Sequence, residues 1–120
     1  MNIEEIREYC LSKPHVTEDF PFDDVTLVFR IGGKIFAFLP TDAIPHSVAL
    51  KCDPERALAL RERYAGVRGA WHLDKRHWNS VEPESGIPAE ALKEWIDHSY
   101  DLVLASLTRK VREALGVRGA

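Results

Sequence analysis

Cysteine is scarce in this 120-residue chain: Cys10 and Cys52 are the only two. That is too few for a disulfide framework, and their positions lack metal-site spacing. With 7 glycines and 7 prolines, the chain is neither fibrous nor low-complexity. No apolar run approaches the length that crosses a bilayer. The opening residues MNIEEIREY are acidic and amphipathic, so a secretory signal is not expected. The pair Gly32-Gly33 lacks the following helix and the Gly-Lys-Ser/Thr ending of a phosphate loop. These absences lead to the expectation of a reduced, cytoplasmic protein with no membrane partner and no cofactor. What is present is ordinary for a globular domain, 45% apolar and 29% charged residues. Residues 1–120 are read as a single domain, long enough to bury a core of its own.

Charge is unevenly placed around a net −3. Residues 1–24 carry −5, residues 25–81 carry +4 and residues 82–120 carry −2. A basic middle on an acidic chain suits an anion-binding face. The bland alternative is a solvated helix face, because Arg56, Arg61 and Arg63 fall in one helical segment.

Asn2 followed by Glu5 is a capping-box pattern. Ile3, Ile6 and Cys10 then recur at helical spacing until Pro14 stops the helix. Phe20 and Phe22, in the polar connection that follows, are expected to fold back onto the core. VTLVFRI (25–31) and KIFAFL (34–39) read as two strands joined by a Gly-Gly turn. Leu27, Phe29 and Ile31 share a face, as do Ile35, Ala37 and Leu39. The opposite set, Val28, Phe36 and Phe38, is also apolar, so the pattern does not settle which face is core. SVALKC (47–52) predicts a third strand. Asp53-Pro54 opens a helix that runs to about Tyr64, with Ala57, Leu58, Leu60 and Tyr64 available for burial. Strands at 67–73 and 77–82, joined by Asp74-Lys75-Arg76, precede the longest helix. Its stripe comprises Leu92, Trp95, Ile96, Ser99, Leu102, Val103, Ser106 and Leu107. A basic tail from Thr108 begins helical and frays at Gly116. The order α-β-β-β-α-β-β-α predicts a two-layer α+β fold, a five-stranded antiparallel sheet with helices on one face.

The densest chemical cluster is Trp71-His72-Leu73-Asp74-Lys75-Arg76-His77-Trp78-Asn79. Cations at a hairpin tip reach phosphates, and exposed indoles stack on bases. The tryptophans are read in the first place as core, and the charged tip as either a solvated turn or a phosphate contact. A zinc site would need His72 and His77 with His46, Cys52 or Asp74, a spacing that matches no known finger or protease pattern. General acid–base use of His72 with Asp74 is disfavoured by strand alternation, and no nucleophile is near in sequence. Gly66-Val67-Arg68-Gly69 fits the GXXG loop of KH domains but joins a helix to a strand, and GVRGA recurs at 116–120; both are read as coincidence.

The run Gly69 to Val81, GAWHLDKRHWNSV, resembles the signature of the MmcQ/YjbR family. The hairpin Phe29 to Ala37, Ile87-Pro88, Leu92 and the run Ser99 to Val103 resemble the same family. The resemblance spans essentially the whole chain. It implies a fold like that of type III secretion chaperones and a double-wing DNA-binding protein, with no catalytic residue to carry over. The physical reading meets it at two basic hairpin tips. Arg30 and Lys34 flank the first, Lys75, Arg76 and His77 form the second, and Arg68 stands beside it. The expectation is a non-enzymatic protein whose tips contact the DNA phosphate backbone; a protein- or peptide-binding adaptor is the alternative. Neither reading includes a catalytic, cofactor or metal site.

Overall fold

The computed structural model describes residues 1–116. Helix α1 (Ile3–Ser12) starts in the expected capping box: Asn2 accepts from the Glu5 amide and Glu5 accepts from the Asn2 amide. Strands β1 (Thr17–Asp19), β2 (Thr26–Ile31), β3 (Lys34–Pro40) and β4 (Val48–Lys51) follow. Then come α2 (Pro54–Arg63), β5 (Val67–Gly69), β6 (Trp78–Val81), α3 (Ala89–Ser106) and α4 (Arg109–Ala114). Among the described residues no helix is long and apolar enough to cross a membrane.

The architecture is α+β, with an antiparallel sheet in the order β1-β2-β3-β4-β6-β5. The sheet has six strands, not the expected five. The extra strand, β1, is the sequence TED, which has neither alternation nor β-branched bulk beyond one Thr. It forms by pairing with the exposed edge of β2 and is held by ion pairs to Arg30 and Arg7.

The core lies between the sheet and the helices. Leu27, Phe29 and Ile31 from β2 and Ala37 and Leu39 from β3 meet Leu92, Trp95, Ile96, Tyr100 and Val103 of α3. The ambiguity over the faces of β3 is resolved by a bulge. Phe29 pairs with Ala37 and Arg30 with Ile35, so Phe36 is the extra residue. The bulge turns Phe36 into the core beside Tyr100, at 5.5 Å between ring centroids. Ile35, expected to share a face with Ala37 and Leu39, falls outside the core cluster that holds those two. The α3 stripe is buried as expected except at Leu102, which is half-buried, and Ser106, which is exposed. Leu58 is also exposed, on the outer side of α2. The helix breaks at Leu107, whose backbone is extended, and Thr108 caps α4 with a side-chain bond to the Val111 amide. The second GVRGA lies, beyond its first glycine, outside the described residues.

Candidate nucleic-acid interface

Both hairpins point to the same end of the sheet. β2 leads into the turn at Gly32-Gly33, and β4 runs parallel to β2 because each is antiparallel to β3. Lys51, the last residue of β4, pairs with Trp78, the first of β6, so the β5–β6 connection emerges at that end too. Three strand spacings, about 14 Å, separate the hairpin axes.

The first tip is tight and covered. Gly32 and Gly33 both have positive φ, +59 and +84, as a primed two-residue turn requires. A Cβ on Gly32 would lie 2.6 Å from Leu107 Cδ1, so the α3–α4 junction sits directly on the turn. Arg30 lies across the tip, donating to Asp19 Oδ1 at 2.8 Å and to the Gly33 carbonyl at 2.9 Å. Lys34 Nζ approaches the Ser106 carbonyl at 3.4 Å, a favourable place for a cation at a helix C-terminus. The first wing is therefore docked rather than projecting.

The second connection is longer than the expected three-residue turn. β5 and β6 contain only three and four residues, leaving 70–77 as loop. Asp74 organises its distal half: its side chain accepts from the Arg76 amide, and its carbonyl accepts from the His77 and Trp78 amides. Lys75 and Arg76 are exposed at this turn, and His77 stands 3.9 Å from the Asp74 carboxylate. Arg61 anchors the turn from below. It donates to Asn79 Oδ1 at 2.7 Å and to the Lys75 carbonyl, and the buried Asn79 donates in turn to the Ala57 carbonyl of α2. The reading of Arg61 as a solvated residue is thus corrected. It shares the inward stripe of α2 with Ala57, Leu60 and Tyr64, and that i, i+4, i+7 spacing was available in the sequence. Arg56 is likewise engaged, with Glu94 at 2.7 Å. Arg68 on β5 pairs with Glu82 at 2.5 Å.

The sheet face opposite the helices carries a feature that the sequence reading missed. Asp19, Val28, Phe38, Ala49, Ser80 and Arg68 run across it in register. Ala49 and Ser80 are small, and they floor a hollow of about 580 Å³. One wall is Phe38 with Phe22 stacked on it, 6.3 Å between centroids and 14° between planes. The other is the Trp71-His72-Leu73 segment. Three assignments to the core are therefore overturned: Phe20 is 48%, Phe22 67% and Trp71 77% exposed. The helix-side core has no room for these rings, because α1 and α3 already cover that face of the sheet. Trp78 packs edge-on against Phe38 at 5.3 Å. His72 is held at φ +67, a left-handed conformation uncommon outside glycine, with its ring 3.8 Å from that of Trp71. The signal in the sequence was the second apolar set, Val28 and Phe38, opposite the core residues of β2 and β3.

The hollow is bordered by charge of both signs. Asp23, next to Phe22, accepts from the Val25 and Thr26 amides, bonds that hold its carboxyl below the usual range. Lys51 follows Ala49 by two residues on the same face of β4. His72 and His77 gather no further ligands: among the described residues no group of three or more His, Cys, Asp or Glu side chains converges. Gly66 and Gly69 bracket the entry to β5 and its last residue, not a helix–helix loop; a Cβ on Gly66 would lie 2.8 Å from that of Ser85.

Comparison with known proteins identifies the relatives of this arrangement. The uncharacterised protein YbdF of Escherichia coli O157:H7 is 32% identical over 107 residues, 89% of this chain and 88% of that one. The uncharacterised protein YjbR of Escherichia coli K12 is 29% identical over 115 residues, 96% of this chain and 98% of its own length. The crystal structure of Deinococcus radiodurans protein DR2400, which carries the DUF419 domain, superposes with a TM-score of 0.89. It has 36% identity and covers 98% of this chain and 89% of that chain. The YjbR family model matches residues 11–102, from the last two residues of α1 well into α3. The chain belongs to the YjbR family.

Proposed function

We propose that this protein is a non-enzymatic DNA-binding protein that meets the phosphate backbone at the sheet end carrying both hairpin tips. The observation that supports this reading is the placement of Lys34, Lys75 and Arg76 at that one end. Arg30, Arg68 and His77 each have a carboxylate close by, whereas Lys34, Lys75 and Arg76 have no carboxylate partner among the described residues. Phosphate contacts supply sequence-independent, salt-sensitive affinity, and so few cations on an acidic chain give weak binding. The covered first tip makes the second the dominant contact.

The test is a fluorescence-anisotropy titration with DNA across a salt series. Lys75→Ala and Arg76→Ala should each weaken binding about equally on unrelated sequences and lower the salt slope by about 1. Lys93→Ala is the control, because Lys93 lies near the start of α3, over the Tyr9 ring, and α3 reaches the tip end only at Ser106. Charges more than about 10 Å from the strand are screened. Equal binding by all three variants, or no binding by the parent at low salt, refutes the reading.

A protein- or peptide-binding adaptor is the second reading. The observation that favours it is the pair Phe22 and Trp71, exposed around one hollow on the sheet face, since contiguous apolar groups mark interaction surfaces.

A further inference from the structure

The hollow on the open sheet face has the attributes of a built ligand site rather than a chance depression. Its volume of about 580 Å³ falls within the roughly 300–1,000 Å³ typical of small-ligand clefts. Its floor is made by the facing pair Ala49 and Ser80, where a larger residue on either strand would fill the space. Its walls are flat rings, Phe22 stacked on Phe38 on one side and Trp71 beside His72 on the other. The few polar groups at the surface of the hollow include the hydroxyls of Ser47 and Ser80 and the His72 imidazole. A tryptophan left 77% exposed, next to a histidine held at positive φ, is an arrangement that folding alone does not favour. Lys51 stands on the same face, two residues beyond the floor residue Ala49, and Arg68 pairs in register with Ser80 on the other side. One cation thus stands beyond the floor on β4 and another beside it on β5. Arg68 is paired with Glu82, which leaves Lys51 as the flanking cation without a carboxylate partner among the described residues.

We propose that this hollow receives unstacked bases of single-stranded nucleic acid, which stack on Trp71 and Phe22 over the Ala49–Ser80 floor while Lys51 and the second hairpin tip meet the phosphates. The proposal rests on the nucleic-acid reading above and specifies the strand state of the ligand. Duplex DNA keeps its bases stacked inside and can offer the hollow nothing but phosphate. A single strand offers flat faces to the rings and base edges to Ser47, Ser80 and His72. Stacking on aromatic side chains tolerates any base, so the preference is for strandedness more than for sequence.

The experiment uses the full chain and three fluorescein-labelled DNA probes at low salt. These are a 15-nucleotide single strand, the same strand with its central five bases replaced by abasic sites, and the corresponding duplex. The single strand should bind at least about tenfold more tightly than the duplex and the abasic strand, which keeps the phosphates and loses the stacking. Ala49→Leu, which fills the hollow, should lose about tenfold on the single strand and nothing on the duplex. Trp71→Ala should do the same, and its exposure leaves the fold intact, so the test stands if the Ala49 variant melts early. If the three probes bind the parent alike and both variants match it, the base site is refuted while phosphate binding survives. If no probe binds, the nucleic-acid reading and this site fall together.

Discussion

The Ser99 hydroxyl occupies a gap between two strands. β3 and β4 pair only through Ala37–Leu50 and Phe38–Ala49, because the bulge at Phe36 carries the chain away from β4. The Phe36 carbonyl and the Lys51 amide are joined through Ser99 Oγ, which donates at 2.6 Å and accepts at 2.9 Å. Ser99 is fully buried, so water cannot take its place. Ser99→Ala should cost about 1–3 kcal/mol, read as a lower urea midpoint at unchanged slope. A loss below about 0.5 kcal/mol would mean that the strands close on each other without it. His98 makes a second residue-scale test. Its Nε2 accepts from the Asp53 amide at 3.2 Å, which requires the neutral ring. Burial, reinforced by the Arg56 guanidinium, lowers its pKa, outweighing Asp53, Asp101 and Glu94. A lowered folded pKa means that the unfolded chain binds the proton more readily. The stabilisation is therefore complete above the unfolded value, about 6.5, and is lost as pH falls from there through the folded pKa. Melting temperatures measured between pH 8 and 5 should fall on acidification more steeply in the parent than in His98→Asn. Parallel curves would remove His98 as the cause.

The hairpins show which elements the sequence made legible. Gly32-Gly33 between two β-branched, aromatic runs announces a primed turn by local chemistry alone, and the turn is there. Its cover is not legible, because Leu107 and Val111 reach it from more than seventy residues away. Gly32→Ala and Gly33→Ala separate the two effects. Both force a side chain into positive φ, costing about 1–2 kcal/mol. Only at Gly32 does a Cβ collide, at 2.6 Å from Leu107, whereas nothing lies within 4 Å at Gly33. Urea titration should find the Gly32 variant less stable by at least a further 1 kcal/mol or so. Equal losses would mean that the α3–α4 junction gives way freely. The second hairpin is harder to read. Its turn residues Lys75, Arg76 and His77 were identifiable, but its strands are short, because Trp71 to Leu73 leave the ladder to wall the hollow. Alternation over a few residues cannot distinguish a strand from a loop folded across a sheet face. The α3 stripe was legible over five turns for the opposite reason: a long period repeated many times leaves one solution. β1 was illegible because its pairing is decided by the edge it meets.

At the scale of the whole molecule the question is whether the sheet opens as one unit. The helical layer covers β2, β3 and β4 through α3, while the second hairpin is held chiefly through α2 and the Arg61 clamp. The two thiols report on the two halves. Cys10 is fully buried on the core face of α1, and burial pushes its thiol up to about 12. Cys52 follows β4, is 5% exposed, is also raised by burial, and donates its amide to the His77 carbonyl at the base of the second loop. Both are slow to react in the folded chain, since the thiolate is the nucleophile. Labelling at pH 8 with an alkylating reagent therefore measures opening. Cys52 should label faster than Cys10 and with a weaker urea dependence, because releasing the second hairpin exposes less surface than global unfolding. Arg61→Ala should accelerate Cys52 well beyond any change at Cys10, since it removes the tie between α2 and the loop. It also leaves Asn79 Oδ1 and the Lys75 carbonyl without their shared donor. Mass spectrometry of the labelled peptides resolves the two sites. Identical rates and identical urea slopes in parent and variant would show that the second hairpin, and with it the proposed contact surface, opens only when the entire sheet does.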